Sequence, residues 1–144
     1  ETAARNQVTL VMEPLNRYES CVVNTAEDVL RFVTEVNHPN VRALLDTYHM
    51  NIEESDVGKA FLTVKDCVEV VHFADSNRRA LGQGHIDFRP VVAGMKAIGF
   101  DKTIVLECTA PGPDPFRADK GETTTQTMAQ YAEESLAKLK EWFT

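Results

Sequence analysis

The sequence predicts an α/β fold in which four β-α units run in series onto one parallel sheet. Three observations lead there. Short apolar runs alternate with helix-length amphipathic segments, the pattern of β-α-β units. The amphipathic segments open on capping residues. Glu13, Asp46, His72 and Glu107 each stand at the carboxyl end of one apolar run. That is the edge on which a parallel sheet displays its functional groups.

The first run, residues 8–12 (Val-Thr-Leu-Val-Met), ends at Glu13. Thr25, followed by Glu27 and Asp28, starts the first helix as a cap with acids in the first turn. Ala26, Val29, Leu30, Val33 and Val36 then recur at helical spacing. Pro39 ends that helix, because the residue before proline is pushed out of the helical region. Residues 41–45 form the second strand and lead into Asp46. Ser55 or Asp56 caps a second helix through Val57, Ala60, Phe61 and Val64, with Glu53 and Glu54 as its acidic lead-in. Residues 68–71 form the third strand, ending at His72. Asp87 caps a third helix with Pro90 in its first turn and Gly99 just past its end. Residues 102–106 form the fourth strand and end at Glu107. A Pro/Gly-rich loop at 110–115 then leads to a helix over 122–143, striped by Met128, Tyr131, Ala132, Leu136, Leu139 and Trp142.

Composition narrows the function classes. The chain has 144 residues, is 43% hydrophobic and carries a formal net charge of −7, so it holds one domain core. With no basic run, it lacks the footprint of a nucleic-acid binder or of an anionic membrane surface. No stretch of about 18 apolar residues is present to span a bilayer. Residues 1–6 do not read as a signal peptide, and none is expected of them. Cys21, Cys67 and Cys108 are odd in number and far apart, and read as reduced thiols of a cytoplasmic protein. Cys108 is expected to pack rather than react.

Three carboxylates and an imidazole at the strand ends form an oxygen/nitrogen ligand set for one divalent cation. Asp and Glu number 22 and His 4 among 144 residues. Four specified positions would all carry such residues by chance roughly once in a thousand, or about once in a hundred after freedom in choosing the strand ends. The oxygen-rich set favours Mn2+, with Mg2+ or Co2+ as alternatives.

Two architectures accommodate this order: a small doubly wound sheet, or half of an eight-unit barrel, which takes about 250 residues. The dinucleotide fingerprint is missing. Gly82-Gln-Gly84 follows a long loop rather than the first strand. Residues 1–7 read as the tail of a preceding element, so the whole of 1–144 is expected to be the carboxyl-terminal half of a longer protein.

Four segments carry a resemblance: Glu13-Pro-Leu-Asn-Arg-Tyr-Glu19, Asp46-Thr-Tyr-His-Met-Asn-Ile-Glu-Glu54, His72-Phe-Ala-Asp-Ser-Asn-Arg78 and Gly82-Gln-Gly-His-Ile-Asp-Phe88. They resemble the sugar isomerase/epimerase group of xylose-isomerase-like barrels, D-tagatose and D-psicose 3-epimerases above all. The resemblance covers nearly the whole chain. It implies a (β/α)8 barrel of which the last four units are present. It puts the cation ligands on Glu13, Asp46, His72 and Glu107, and the substrate contacts on Glu19, His49 and Arg78. It also implies that Glu13 and Glu107 act as the paired acid and base. Leu81 stands where the family often has Pro.

The chemistry suits these residue types. A divalent cation chelated by a ketose stabilises the charge that forms when a neighbouring carbon loses its proton. Two carboxylates on opposite faces take a proton from one side and return it on the other. Other readings remain. One is an inosose dehydratase or isomerase with the same groups. Another is an abasic-site endonuclease-like zinc enzyme, which the acidic charge and the 4 histidines disfavour. Among simpler readings, Asp46 is a strand-end cap, His49 a loop histidine, and Arg78 with Arg79 a solvated pair. His38 and His85 are expected in loops, and Trp142 in packing. Four units cannot close a barrel. The outer strands are therefore expected to expose edges that a second copy covers, giving a homo-oligomer.

Overall fold

The structure, a computed structural model, describes residues 1–114, 116–117 and 120–144. Its elements in chain order are α1 Thr2–Arg5, β1 Leu10–Met12, α2 Ala26–Val36, β2 Val41–Asp46, α3 Thr47–Glu53, α4 Val57–Thr63, β3 Val68–Phe73, α5 Phe88–Ala97, β4 Thr103–Leu106 and α6 Thr124–Phe143. Local hydrogen bonds set the helix starts. Thr25 and Asp28 form a reciprocal capping box on α2. Asp56 accepts from the Lys59 amide at α4, and Asp87 from the Arg89 amide at α5.

The sheet order is β1-β2-β3-β4, every pair parallel. Sequential order is what a barrel wall requires. A doubly wound sheet reverses its order at a switch point. Asp46 sits opposite His72, and Phe73 opposite Leu106. The Glu107 amide donates to the Phe73 carbonyl at 2.9 Å and carries the pairing one residue past β4. This register brings the functional ends of the strands level.

The main core lies between the sheet and its helices, with a smaller cluster of Ala80, Cys108 and Tyr131 beside it. Leu45, Val71 and Phe73 from the strands meet Val29 of α2, Phe61 of α4, and Val91 and Met95 of α5, all essentially dry. Met12, Leu106 and Trp142 pack at its margin. Trp142 stacks on Phe88 with ring centroids 5.0 Å apart. α4 and α5 touch backbone to backbone. A Cβ on Gly94 would lie 2.9 Å from the Gly58 carbonyl and 3.1 Å from the Phe61 ring, so the contact tolerates no side chain. No helix among the described residues is long and apolar enough to cross a membrane.

Several expected boundaries shift. β1 begins at Leu10 rather than residue 8, while β2 and β3 run on through Asp46 and His72. α2 ends at Val36 because Asn37, two residues before Pro39, adopts a left-handed conformation, φ 47°. Asp46 is followed directly by α3, so Glu53 ends a helix and Glu54 is its C-cap, not the lead-in to α4. Glu53 instead takes Arg17, and Glu54 accepts from the Ala26 amide at 2.6 Å. α6 starts at Thr124, and its inner face runs through Met128, Tyr131, Ser135, Leu139 and Trp142, leaving Ala132 and Leu136 exposed. Pro115, in the expected loop at 110–115, lies outside the described residues.

Candidate metal centre and substrate cleft

Strand alternation aims the site. Side chains on a strand alternate between its two faces, and Met12, Leu45, Phe73 and Leu106 all belong to the helix-side core. Their chain neighbours Glu13, Asp46, His72 and Glu107 therefore face the other way. One ligand atom from each of these four lies within 4.8 Å of all the others. The strand ends thus converge as the sequence anticipates.

The group fits a cation. Glu13 Oε1 and His72 Nδ1 are buried and make no hydrogen bond. His72 Nδ1 lies 3.1 Å from Glu107 Oε2, but out of hydrogen-bonding alignment. Leaving a buried polar atom unpaired costs about 1–3 kcal/mol, which a shared ion offsets. Three carboxylates and one imidazole suit a hard or borderline divalent ion.

Arg78 stands beside this cluster. Its Nη1 donates to Asp46 Oδ2 at 2.5 Å and to Glu107 Oε2 at 2.8 Å. The guanidinium lies over the Tyr48 ring, 4.2 Å from its centroid. Arg78 adopts φ 60°, an uncommon conformation for a residue with a side chain. Asp75 holds the loop in this shape. Its buried carboxylate accepts from the amides of Ser76, Gly82 and Ile86. A Cβ on Gly84 would meet Asp75 Oδ1 at 2.2 Å, so the loop needs glycine there.

Asp46 has two roles. Oδ1 caps α3 through the Tyr48 amide at 2.8 Å, while Oδ2 faces the cluster. The cap reading and the ligand reading of Asp46 are thus compatible. α3 also carries His49, which is buried, with Nε2 3.8 Å from Glu13 Oε1. Thr47 locks α3 to the loop after β3 through both the carbonyl and the amide of Ala74.

The electrostatics follow from crowding. Burial, then the neighbouring Glu107 carboxyl, pushes Asp46 up to about 7. Glu107 is held well below the usual carboxylate range, first by the His72 ring, then by Asp46 and Arg78. Burial and then Glu107 raise Glu13. Burial works against charge on His72, yet Glu107, Glu13 and Asp46 carry its pKa upward. Burial and then Arg78 lower that of His49.

An open cleft of about 610 Å³ adjoins the cluster, lined by Glu19, Tyr48, Arg78, Glu107, Thr109 and Phe116 among others. Glu19 lies on its wall, exposed, and accepts from Asn16 Nδ2 at 2.8 Å. Glu19 and Arg78 thus share the cleft, and His49 touches Arg78 from behind. Arg79, His38 and His85 lie outside the cluster. Cys108 is buried against Ser135, and burial pushes its thiol pKa up, so it packs and is not activated. The sequence reading missed Asn16, Tyr48 and Asp75. Each stands inside a segment that carried the resemblance, which was the only signal for it.

Known proteins resemble this chain in sequence and fold. The chain is 40% identical over 100 residues to a ketose 3-epimerase of Arthrobacter globiformis, covering 69% of this chain and 35% of that protein. It is 34% identical over 118 residues to the 3-dehydro-D-guloside 4-epimerase of Escherichia coli, covering 82% and 45%. The crystal structure of a Methylomonas D-allulose 3-epimerase in complex with D-allulose superposes with TM-score 0.83 at 33% identity, covering 96% of this chain and 50% of that one. The chain therefore spans half or less of the length of these relatives. A family model described as xylose isomerase-like TIM barrel matches residues 1–142. Sequential parallel strands, three carboxylates and an imidazole gathered at their carboxyl ends, and a match over nearly the full length agree, and the chain belongs to the xylose isomerase-like TIM barrel family.

Proposed function

We propose that this chain supplies the cation-binding and acid/base half of a ketose 3-epimerase, as the last four β-α units of an eight-unit barrel. The observation that carries this reading is the four-residue cluster, with ligand atoms within 4.8 Å of one another and two of them buried without partners. The names of the relatives support the substrate class. Glu13, Asp46, His72 and Glu107 would hold one divalent cation, Mn2+ before Mg2+ or Co2+, which supplies Lewis acidity toward a ketose carbonyl.

The chain's own groups do the rest. Glu13 follows β1 and Glu107 follows β4, the two outermost strands, so they flank the cluster. One carboxylate takes the C3 proton while the C–H electron pair moves toward the C2 oxygen. The other, protonated, returns a proton to the opposite face of C3. Arg78 and His49 donate to substrate oxygens, and Glu19 accepts from a sugar hydroxyl at the cleft wall.

The test is a D2O incubation of the full-length protein with Mn2+ and D-fructose, D-psicose or L-ribulose. The expected product is the 3-epimer with one solvent deuteron at C3. No deuterium uptake from any of these ketoses sinks the reading. The relative that acts on a 3-dehydro-guloside favours one competitor, epimerisation at C4 beside a C3 carbonyl. Exchange confined to a 3-keto glycoside would select it.

A further inference from the structure

Asn16 lies just after β1, is essentially buried, and bonds both Glu19 and His49. Its amide orientation is settled by partners. The Tyr18 backbone N–H can only donate, and it meets Asn16 Oδ1 at 3.0 Å. Nδ2 therefore points the other way, to Glu19 Oε1 at 2.8 Å and to His49 Nδ1 at 2.9 Å. The Asn16 backbone N–H also reaches His49 Nδ1, at 3.1 Å.

Two donors thus converge on one ring nitrogen. A nitrogen that accepts carries no proton, and the imidazole keeps its proton on the other nitrogen. His49 Nε2 is then an N–H donor. It faces Arg78 Nη2 at 3.0 Å. A guanidinium has no acceptor, so these two groups cannot bond each other. A facing pair of donors is satisfied by an oxygen that accepts from both. A ketose carbonyl or hydroxyl oxygen in the adjoining cleft has that chemistry, and gains most as negative charge builds on it.

We propose that Asn16 is a positioning residue that holds His49 as the Nε2–H tautomer, so that His49 and Arg78 act as a donor pair for one substrate oxygen. The same amide draws Glu19 to the cleft wall, which couples the two contacts through one side chain. This inference rests on the ketose epimerase reading for the identity of the oxygen. The ring state itself does not depend on that reading.

The test is 15N NMR of the full-length protein labelled at histidine, with the His49 signals assigned by their loss in His49→Gln. The expected wild-type spectrum has Nδ1 unprotonated and Nε2 protonated. A protonated Nδ1 in the wild type overturns the proposal, whatever the fate of any variant. Asn16→Asp is the second arm. It keeps an oxygen for the Tyr18 amide, and so keeps the turn, and it keeps the backbone N–H on Nδ1, but sets a carboxylate oxygen against Nδ1 in place of the side-chain donor. The ring proton is expected to shift, Nδ1 gaining it and Nε2 losing it, so that the donor facing Arg78 is lost. kcat on the ketose should fall about 100-fold, as for loss of an oxyanion donor, with a smaller change in KM. An unchanged ring spectrum and unchanged kcat in a folded Asn16→Asp protein show a turn-forming role only and overturn the proposal. The expected wild-type ring state without C3 exchange on any ketose fails the epimerase reading alone. C3 exchange with Nδ1 protonated fails the present inference alone.

Discussion

The two faces of the sheet obey different rules. The helix-covered face is dry: Val29, Phe61, Val71, Phe73 and Val91 have no exposed surface. Its contacts are apolar, and α4 and α5 meet without intervening side chains at Gly58 and Gly94. The other face carries Glu13, Asp46, His72 and Glu107, two of them with unpaired buried atoms, and leaves Val11 and Val105 each 37% exposed. The comparison teaches a division of labour. Close packing on one face fixes strand register. That rigidity lets the opposite face hold groups that repel each other and would otherwise move apart.

The largest expected effect breaks the packed face. Phe61→Ala should cost about 3–5 kcal/mol of stability, the range for emptying a large core site. Urea unfolding of the full-length protein measures it. A loss below about 1 kcal/mol would mean that the helix layer is not what holds the register. Next comes the ligand face. Glu13→Gln or Glu107→Gln should lower kcat at least ~100-fold while the urea midpoint stays close to wild type. Near-normal turnover by either variant would sink the two-carboxylate reading.

A pH test separates the faces without mutation. The Asp46 carboxyl is raised from 3.8 to about 7 by folding. Folding therefore favours its protonated form, and the penalty on the folded state grows as pH rises from about 4 to about 7. His72, raised by its acidic neighbours, acts in the same direction, since its charged form is lost as pH rises past its folded pKa. The depressed Glu107 acts only at lower pH. Cation-free protein should thus melt lower at about pH 8 than at about pH 5. Mn2+ should bind more tightly as pH rises and release protons, because the bound ion needs Asp46 ionised. Calorimetric titration in two buffers of different ionisation enthalpy counts the protons, and a count of zero would contradict the assignment.

The smallest effect is expected at the rim. Val105→Thr on the open face should change the stability of the 144-residue chain by no more than about 0.5 kcal/mol. It should also weaken any self-association seen by sedimentation, since Val105 is exposed there. A large loss of stability would show that this face is already packed.

Helix caps were legible residue by residue. Thr25, Asp56 and Asp87 act over three or four residues, and local chemistry decides them. The meeting of Glu13, Asp46, His72 and Glu107 was legible because each closes an apolar run, and strand alternation then sets its face. α3 was not legible. Its stability comes from Asp46 at its start and from Thr47 bonded to Ala74, a residue 27 positions away. Its segment Thr47-Tyr48-His49 shows no apolar stripe, because one side faces the site. The face of α6 was misread at Ala132 and Leu136 because Ser135, a polar residue, takes the buried position and accepts from the Leu81 amide.

Pattern and period in the chain were enough to dictate four parallel strands, most of their covering helices and which four residues gather at the strand ends, since each depends on neighbours within a turn or a pleat. Contacts between distant segments settled the rest. Asn16 reaches His49 across 33 positions, and Arg78 reaches Asp46 across 32. How the His49 ring is flanked, and how Arg78 lies against the carboxylates, are consequences of those meetings. No local periodicity encodes them, because a hydrogen-bond partner is defined by where the folded chain brings it.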